Sequence, residues 1–397
     1  MEEHTPILMF DGTIKSVQDI NVNDLLMGDD STPRTVLSLS NNNDKMYKIT
    51  NIKGDTYTVN EKYILCFNTS NYGIGYDKRT KKYIARYLNK ENLKIKSKSF
   101  ETKEKGQHFL NLFINENKLV ETSVQIYTKL NKTIKHILKG YKVGIDFEEK
   151  KLPLDPYILG LWLGDGTSRK AEFTNQEAVI LKYLSKELLK YDCYLSYTNR
   201  DYHYRFCSLR KKYSKEYGRN NNLIKNILTE LNLIKNKHIP DIYKYNSREN
   251  RLKLLAGLLD TDGYHNKNCY DLIQKNNKLS KDIVYLTRSL GFACYSKKCK
   301  KTCTNAPGGP KTGEYNRMSI SGEKLYEIPV LCPRKKAGVR KQIKNPLVSG
   351  ITVTSTEKQE KCYSFTLDGN HKFILGNFIV AHDYQLSPAP SITYTTV

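Results

Sequence analysis

Apolar and polar residues alternate through the first seventy positions, in short runs broken by turn residues. The stretch TPILMFDGTIKSVQDI alternates about an Asp11-Gly12 turn, and LLMGDDSTPRTVLSL does the same about a second turn. MYKITNIKGDTYTVNEKYILCF predicts two further strands. The same style returns near the other end, where KCYSFTLDGNHKFILGNFIV predicts a hairpin about Asp368-Gly369. Between these β-rich pieces, from about residue 150 to 340, helical and strand patterns mix. A β domain split by a large insertion is the arrangement this predicts.

The middle carries a repeat. ILGLWLGDG (Ile158–Gly166) matches LAGLLDTDG (Leu255–Gly263), and the two aspartates, Asp165 and Asp262, lie 97 positions apart. YLSKELLKYDCY is echoed about a hundred positions later by YLTRSLGFACY. Lys237 in NKHIP and Lys335 in CPRKK are 98 positions apart, which keeps each lysine 72 or 73 residues beyond its aspartate. Spacing held across three landmarks argues duplication. Each Asp-Gly segment predicts a short apolar helix. Gly160 and Gly164 fall on one face of the first, and Ala256 and Gly257 supply small residues to the second. Two such helices can approach closely about a pseudo-twofold axis and bring Asp165 and Asp262 together at one end. Paired carboxylates repel unless a cation sits between them. Hard oxygen ligands of this kind suit Mg²⁺, and a divalent ion held there would support phosphodiester hydrolysis. One copy alone reads as a buried helix with an Asp-Gly cap. Trp162, inside the first segment, reads as packing, and His238 as a polar neighbour of Lys237.

Charge sharpens this picture. The 397 residues include 65 Lys+Arg against 41 Asp+Glu, a formal charge of +24, which predicts a polyanionic partner. Tyr is frequent at 29 and can stack on bases or reach phosphates, although Lys, Asn and Tyr enrichment also follows from an AT-rich genome. The basic stretch from Lys78 to Lys105 contains Lys78, Arg79, Lys81, Lys82 and Arg86, with Tyr83 and Tyr87 interleaved; it reads as a DNA-contacting arm or as a solvated loop. PRKKAGVRKQIK (Pro333–Lys344) is open to the same two readings, or to a nuclear address. The hydrophobic fraction of 39% allows real cores. The start carries no signal-peptide pattern, and no run is long enough to span a membrane. Nine scattered cysteines fit free thiols in a reducing compartment; Cys299 and Cys303 lack a second pair at zinc spacing.

On its two Asp-Gly motifs the chain resembles the LAGLIDADG homing endonucleases in their single-chain, two-motif form. The resemblance implies a metal-dependent, site-specific double-strand DNA endonuclease whose two curved sheets form a saddle in the major groove. It implies that Asp165 and Asp262 bind Mg²⁺ (or Mn²⁺) and that Lys237 and Lys335 are catalytic, with Lys336 the other candidate for the second lysine. The flanking pieces resemble the Hint splicing domain of inteins: TPILMFDG its first block, TYTVNEKYIL its second, HKFILGNFIVAHD its last two. The basic arm lies where the yeast vacuolar-ATPase inteins carry an extra DNA-recognition region. The fold class expected is therefore multidomain, an all-β Hint domain interrupted by an α/β pseudo-twofold LAGLIDADG endonuclease domain. The expected boundaries are 1–75 for the first Hint part, 76–145 for the basic DNA-recognition arm and linker, and 146–345 for the endonuclease (repeats at about 152–245 and 250–340). Residues 346–383 form the last Hint part and 384–397 a tail.

The departures from the splicing pattern matter. No Cys or Ser opens Met1-Glu2-Glu3-His4-Thr5, Tyr63 stands where an activating His is usual, and His382 is followed by Asp383 and Tyr384 in place of Asn and a thiol or hydroxyl residue. Nucleophile, activating base and cyclising amide are all missing. Tyr63, His371, His382 and Asp383 then read as relics of the splicing blocks. The expected protein is a monomeric endonuclease, intein-derived and unable to splice, acting on double-stranded DNA with a long asymmetric target site. It would be intracellular, and nuclear in a eukaryotic host, with no membrane partner. The alternatives are a nucleic-acid binder of the maturase type or a decayed endonuclease, and an active self-splicing intein.

Overall fold

The computed structural model describes residues 1–69, 73–209, 222–303, 309–342 and 344–383, without the side chains of 114–117 and Cys303. The chain divides into two compact units, one of residues 1–143 with the segment from Val348 onward, the other of residues 144–347.

The first unit is β-rich. Pro6–Leu8 pairs with Ile14–Ser16 across the Asp11-Gly12 turn, where Gly12 takes φ 93° and Asp11 Oδ1 accepts from the Thr13 N–H at 2.8 Å. A 19-residue strand, Pro33–Asn51, is the spine: it pairs with Leu25–Met27, with Thr56–Asn60, and along Ile351–Leu367, so both ends of the chain share one sheet. Ile64–Asn68 pairs with Leu119–Ser123. The core is built by Ile7, Leu26, Val36, Ile49, Val59, Phe67, Val120, Phe365 and Phe373, which face inward at alternate strand positions.

Three expectations change here. Ile351–Leu367 and Lys372–Ile374 do not form a hairpin about Asp368-Gly369. Asp368 instead bonds the backbone of Thr35, accepting its N–H at 2.8 Å, and the chain changes sheets. The hairpin comes one turn later, Lys372–Ile374 with Val380–His382. The basic stretch, read as an arm or a loop, is a three-stranded antiparallel sheet of Ile74–Asp77, Lys82–Asn89 and Lys94–Phe100, followed by a helix, Lys103–Asn117, capped by Thr102. Tyr87, Phe100, Phe109 and Phe113 cluster between this sheet and helix, with ring centroids 4.6–5.4 Å apart in the closest pairs. The chain from Leu119 to Tyr141, expected as linker, contributes strands to the first unit.

The second unit mixes helix and sheet. Helix Pro156–Asp165 leads to strands Glu172–Thr174, Cys193–Tyr197 and His203–Ser208, with His203–Ser208 central. Helix Arg248–Asp262 leads to Gly263–Asn266, Cys269–Gln274, Ala293–Cys303 and Lys311–Ser321, an antiparallel sheet of four. Helices Ala178–Glu187 and Asn277–Ser289 join the same apolar core, through residues such as Ile180, Leu184, Ile283 and Leu286. Among the described residues, no helix is long and apolar enough to cross a membrane.

Candidate active site

The site is set by how closely two helices can meet. Helix Pro156–Asp165 starts on Asp155, whose carboxylate accepts from the N–H groups of Tyr157 and Ile158, with Pro156 at the first turn. Its residues from Pro156 to Leu163 are all buried, as expected for a helix apolar on every side. Helix Arg248–Asp262 starts on Ser247. The two touch at glycine. A Cβ on Gly160 would lie 2.3 Å from the Leu254 carbonyl oxygen, and one on Gly257 would lie 2.3 Å from that of Tyr157. Gly164 faces Thr261, whose Oγ1 would be 2.0 Å from a Cβ there. The glycines that end the helices serve the same need. Gly166 and Gly263 have ordinary negative φ, but a Cβ would meet the carbonyl oxygens of Trp162 and Leu259 at 2.3 and 2.5 Å.

Each helix ends in its aspartate, half-buried, and each aspartate leans on an amide from the following strand region. Asn175 Nδ2 donates to Asp165 Oδ2 at 2.7 Å, and Gln274 Nε2 donates to Asp262 Oδ2. The carboxylates feel each other. Burial, then the charge of Asp165, pushes Asp262 up to about 6, and burial raises Asp165 as well.

A lysine sits under each helix end. Lys237 Nζ donates to the carbonyls of Leu163, Gly164 and Gly166 at 3.0, 3.2 and 2.6 Å, and lies 5.1 Å from the Trp162 ring centre. Lys335 Nζ donates to those of Leu259, Asp260 and Thr261 at 2.9, 2.8 and 3.0 Å. An ammonium has three protons, and here all three go to carbonyls at a helix C-terminus, most of which lack an intrahelical partner. Each lysine is thus a helix cap whose charge opposes the negative end of the dipole. Burial pushes Lys237 down to about 8, against the pull of Asp262 and Asp165, and also lowers Lys335. Lys336 is exposed, with its side chain outside this arrangement. Asn175, Gln274 and the caging of Lys237 by Trp162 were not read from the sequence. The amides follow their aspartates by 10 and 12 positions, and a polar residue at the end of a strand carries no signal that it points back at a helix.

The Hom_end-associated Hint family model matches residues 1–382. The chain belongs to this family. Among curated proteins it is 30% identical over 152 residues to the replicative DNA helicase DnaB of Mycobacterium intracellulare, covering 38% of the chain and 21% of the helicase. It is 24% identical over 259 residues to the homothallic switching endonuclease of Saccharomyces cerevisiae, covering 56% of the chain and 42% of that protein. It is 21% identical over 472 aligned positions to the V-type proton ATPase catalytic subunit of Candida tropicalis, covering 96% of the chain and 43% of that protein. The chain spans less than half the length of each of these relatives. Among solved structures, I-DmoI in complex with DNA and Ca covers 43% of the chain at 16% identity and a TM-score of 0.26, and the gp41-1 intein covers 24% at 18% and 0.15.

In the unit that carries the Hint blocks, the positions read as relics converge. Tyr63 is buried, as are His382 and Asp383, and all three line one small recess with Met1, Asn60 and Phe365. Asp383 Oδ2 accepts from the Leu367 N–H at 2.7 Å and lies 2.9 Å from His371 Nδ1. His382 Nδ1 lies 2.9 Å from the Asp383 carbonyl oxygen, and its Nε2 is 3.5 Å from Glu121. These carboxylates hold the imidazolium and lift His382 to about 9 despite burial. Lys78, Arg79, Lys81, Lys82 and Arg86 are all exposed, on the first turn and the central strand of the basic sheet.

Proposed function

We propose that this Hint-family chain is a site-specific double-strand DNA endonuclease. The observation that carries the reading is the meeting of two glycine-faced helices that end in mutually repelling carboxylates, each end backed by a lysine. The donor set fits a hard divalent cation, Mg²⁺ or Mn²⁺, held by Asp165 and Asp262. Among the described residues no group of three or more His, Cys, Asp or Glu is arranged to hold a metal. Two carboxylates leave most of a Mg²⁺ shell to water and to substrate phosphate, which is how this ion is commonly held at phosphoryl centres. The bound cation would supply an activated water and stabilise the leaving oxygen.

The chain's own residues do the positioning. Asn175 and Gln274 each fix one oxygen of an aspartate, which sets the direction of the other. Lys237 and Lys335 act through the helix ends they cap. Their charges oppose the helix dipoles and help keep both carboxylates ionised, and with their protons on carbonyls they serve as electrostatic supports more than as phosphate ligands. DNA binding falls to the basic surfaces, including Lys78, Arg79, Lys81, Lys82, Arg86 and Lys336, through salt-dependent phosphate contacts. The partner is double-stranded DNA with a long asymmetric site, bound by a monomer. Splicing is absent in this reading, since Tyr63 offers no imidazole and Asp383 offers no amide nitrogen to cyclise.

The test is cleavage of a plasmid or genomic library by purified protein with Mg²⁺, beside Asp165→Ala and Asp262→Ala. Discrete double-strand cuts at few sites, absent from both variants and without metal, are expected. Tight, salt-sensitive binding with no cutting would instead make the chain a nucleic-acid binder.

A further inference from the structure

The second motif helix carries one buried acidic side chain that the proposed chemistry does not use. Asp260 lies in LAGLLDTDG where ILGLWLGDG has Leu163, and it is 1% exposed. Packing of a motif helix is achieved with leucine at the matching position, so the carboxylate has another task. A buried carboxylate persists only where hydrogen bonds replace water. Asp260 Oδ2 accepts from Tyr157 Oη at 2.7 Å and from the Leu331 N–H at 2.6 Å, and Oδ1 accepts from the Cys332 N–H at 3.1 Å. Tyr157 belongs to the other motif helix, and Leu331 and Cys332 lead directly into the turn Pro333–Lys335. That turn is closed by the Lys335 N–H on the Cys332 carbonyl at 2.9 Å, and Tyr270 Oη holds the Lys335 carbonyl at 2.7 Å. With this segment docked, Lys335 Nζ reaches the three carbonyls at the helix end. The Lys237 segment is docked differently, by Asp282 on the Ile239 N–H at 2.9 Å and by Asn276 on the Lys237 carbonyl at 2.8 Å.

We infer that Asp260 is the positioning residue for Lys335: its carboxylate docks the Leu331–Cys332 backbone, with Tyr157 as the third donor, and so seats one of the two lysines beside the aspartate pair. The docking stands by itself; its consequence for cleavage rests on the endonuclease reading above. Asp260→Asn keeps the size and one carbonyl oxygen but replaces the other acceptor with an N–H₂.

The experiment uses the full chain. Limiting amine acetylation at pH 8, read by mass spectrometry, should label Lys335 at least 10-fold more slowly than exposed Lys336 in the wild type. In Asp260→Asn that protection should fall about 10-fold, while Lys237 stays within 2-fold. Unchanged protection of Lys335 in a folded Asp260→Asn protein overturns the proposal. Should the variant fail to fold, with Lys237 labelled as well, amide exchange in the wild type decides. Leu331 and Cys332 N–H should exchange at least 100-fold below their intrinsic rates, and fast exchange at both overturns the docking. On a cleavable plasmid, Asp260→Asn should accumulate nicked circle cut in one particular strand, where a general loss of stability would slow both strands alike. A wild type that cuts nothing, with Lys335 released in Asp260→Asn, removes the endonuclease reading and keeps the docking.

Discussion

Replacing Gly257 by alanine tests whether the helix contact sets the site. A helix-interior Gly→Ala change gains about 1 kcal/mol from propensity. Here the added Cβ would sit 2.3 Å from the Tyr157 carbonyl oxygen, 2.7 Å from the Leu161 nitrogen and 2.9 Å from the Gly160 carbonyl carbon. All three are backbone atoms, so no rotamer change relieves them. Ordinary contact needs about 3.4 Å, and the helices must therefore separate by roughly 1 Å along a buried interface. Overpacking costs typically about 1–3 kcal/mol, and a clash with backbone alone belongs at the upper end, which leaves a net loss of about 1–2 kcal/mol. For a unit of this size that lowers the melting temperature by roughly 2–8 °C. Gly338→Ala is the control, since its nearest neighbour would be a side-chain oxygen of Asn268 at 3.5 Å; it should melt within about 1 °C of the wild type, as surface changes usually do. Calorimetric melting without metal reads both. A Gly257→Ala protein as stable as the wild type, or more so, would refute the close contact and with it the geometry that joins the two aspartates.

Asp262 provides a pH prediction. Its folded pKa of about 6 stands above the ordinary carboxylate value, so its contribution to stability is complete in acid and is lost as pH rises through 6. Asp262→Asn should therefore melt higher than the wild type at pH 7.5 in EDTA, by an amount worth about 1–2 kcal/mol, and the two should converge at pH 4; a variant less stable at pH 7.5 would contradict the assigned repulsion. Lys237→Met keeps the stem and removes the cap, and cleavage should fall at least about 100-fold while DNA affinity stays within about 3-fold, as gel shift and single-turnover rates would show. Neutralising Lys78, Arg79, Lys81, Lys82 and Arg86 together should flatten the plot of log affinity against log salt by about 0.9 for each phosphate that is no longer neutralised, and an unchanged slope would take this sheet out of the interface.

What the sequence made legible depended on the range of the signal. The paired motif helices were readable because glycine spacing and a repeated Asp-Gly ending lie within nine residues. The alternation about Asp11-Gly12 was readable for the same reason. Asp368-Gly369 carries the same local hairpin signature, yet Asp368 bonds Thr35, 333 positions away, and a distant partner overrides a turn propensity. By charge the basic stretch read as an arm or a loop; its sheet shows in Tyr87 and Phe100, which face the helix Lys103–Asn117, a packing that charge does not express. In the candidate site, the helix ends were local features. Asn175, Gln274 and Asp260 act across tertiary contacts, and nothing in their own neighbourhoods announces it. The lysines were located by repeat spacing, but that their protons are spent on carbonyls depends on burial, which spacing does not express.

The long strand Pro33–Asn51 has a consequence for how the molecule is made. Its partner, Ile351–Leu367, is separated from it by some three hundred residues. At roughly 5–20 residues per second of synthesis, the ribosome takes about 15–60 s between the two. For that interval the first strand waits with an open edge. The second unit lies wholly within the gap and can fold during it. It also ties down its own entrance, with the Ile145 N–H on the Ser289 carbonyl at 2.9 Å and Arg251 Nη2 on the Ile145 carbonyl at 2.7 Å. Closing a free loop of about 200 residues in place of one of about 10 costs an extra ~2–3 kcal/mol. An inserted unit that folds first would remove most of that entropy before the sheet it interrupts closes.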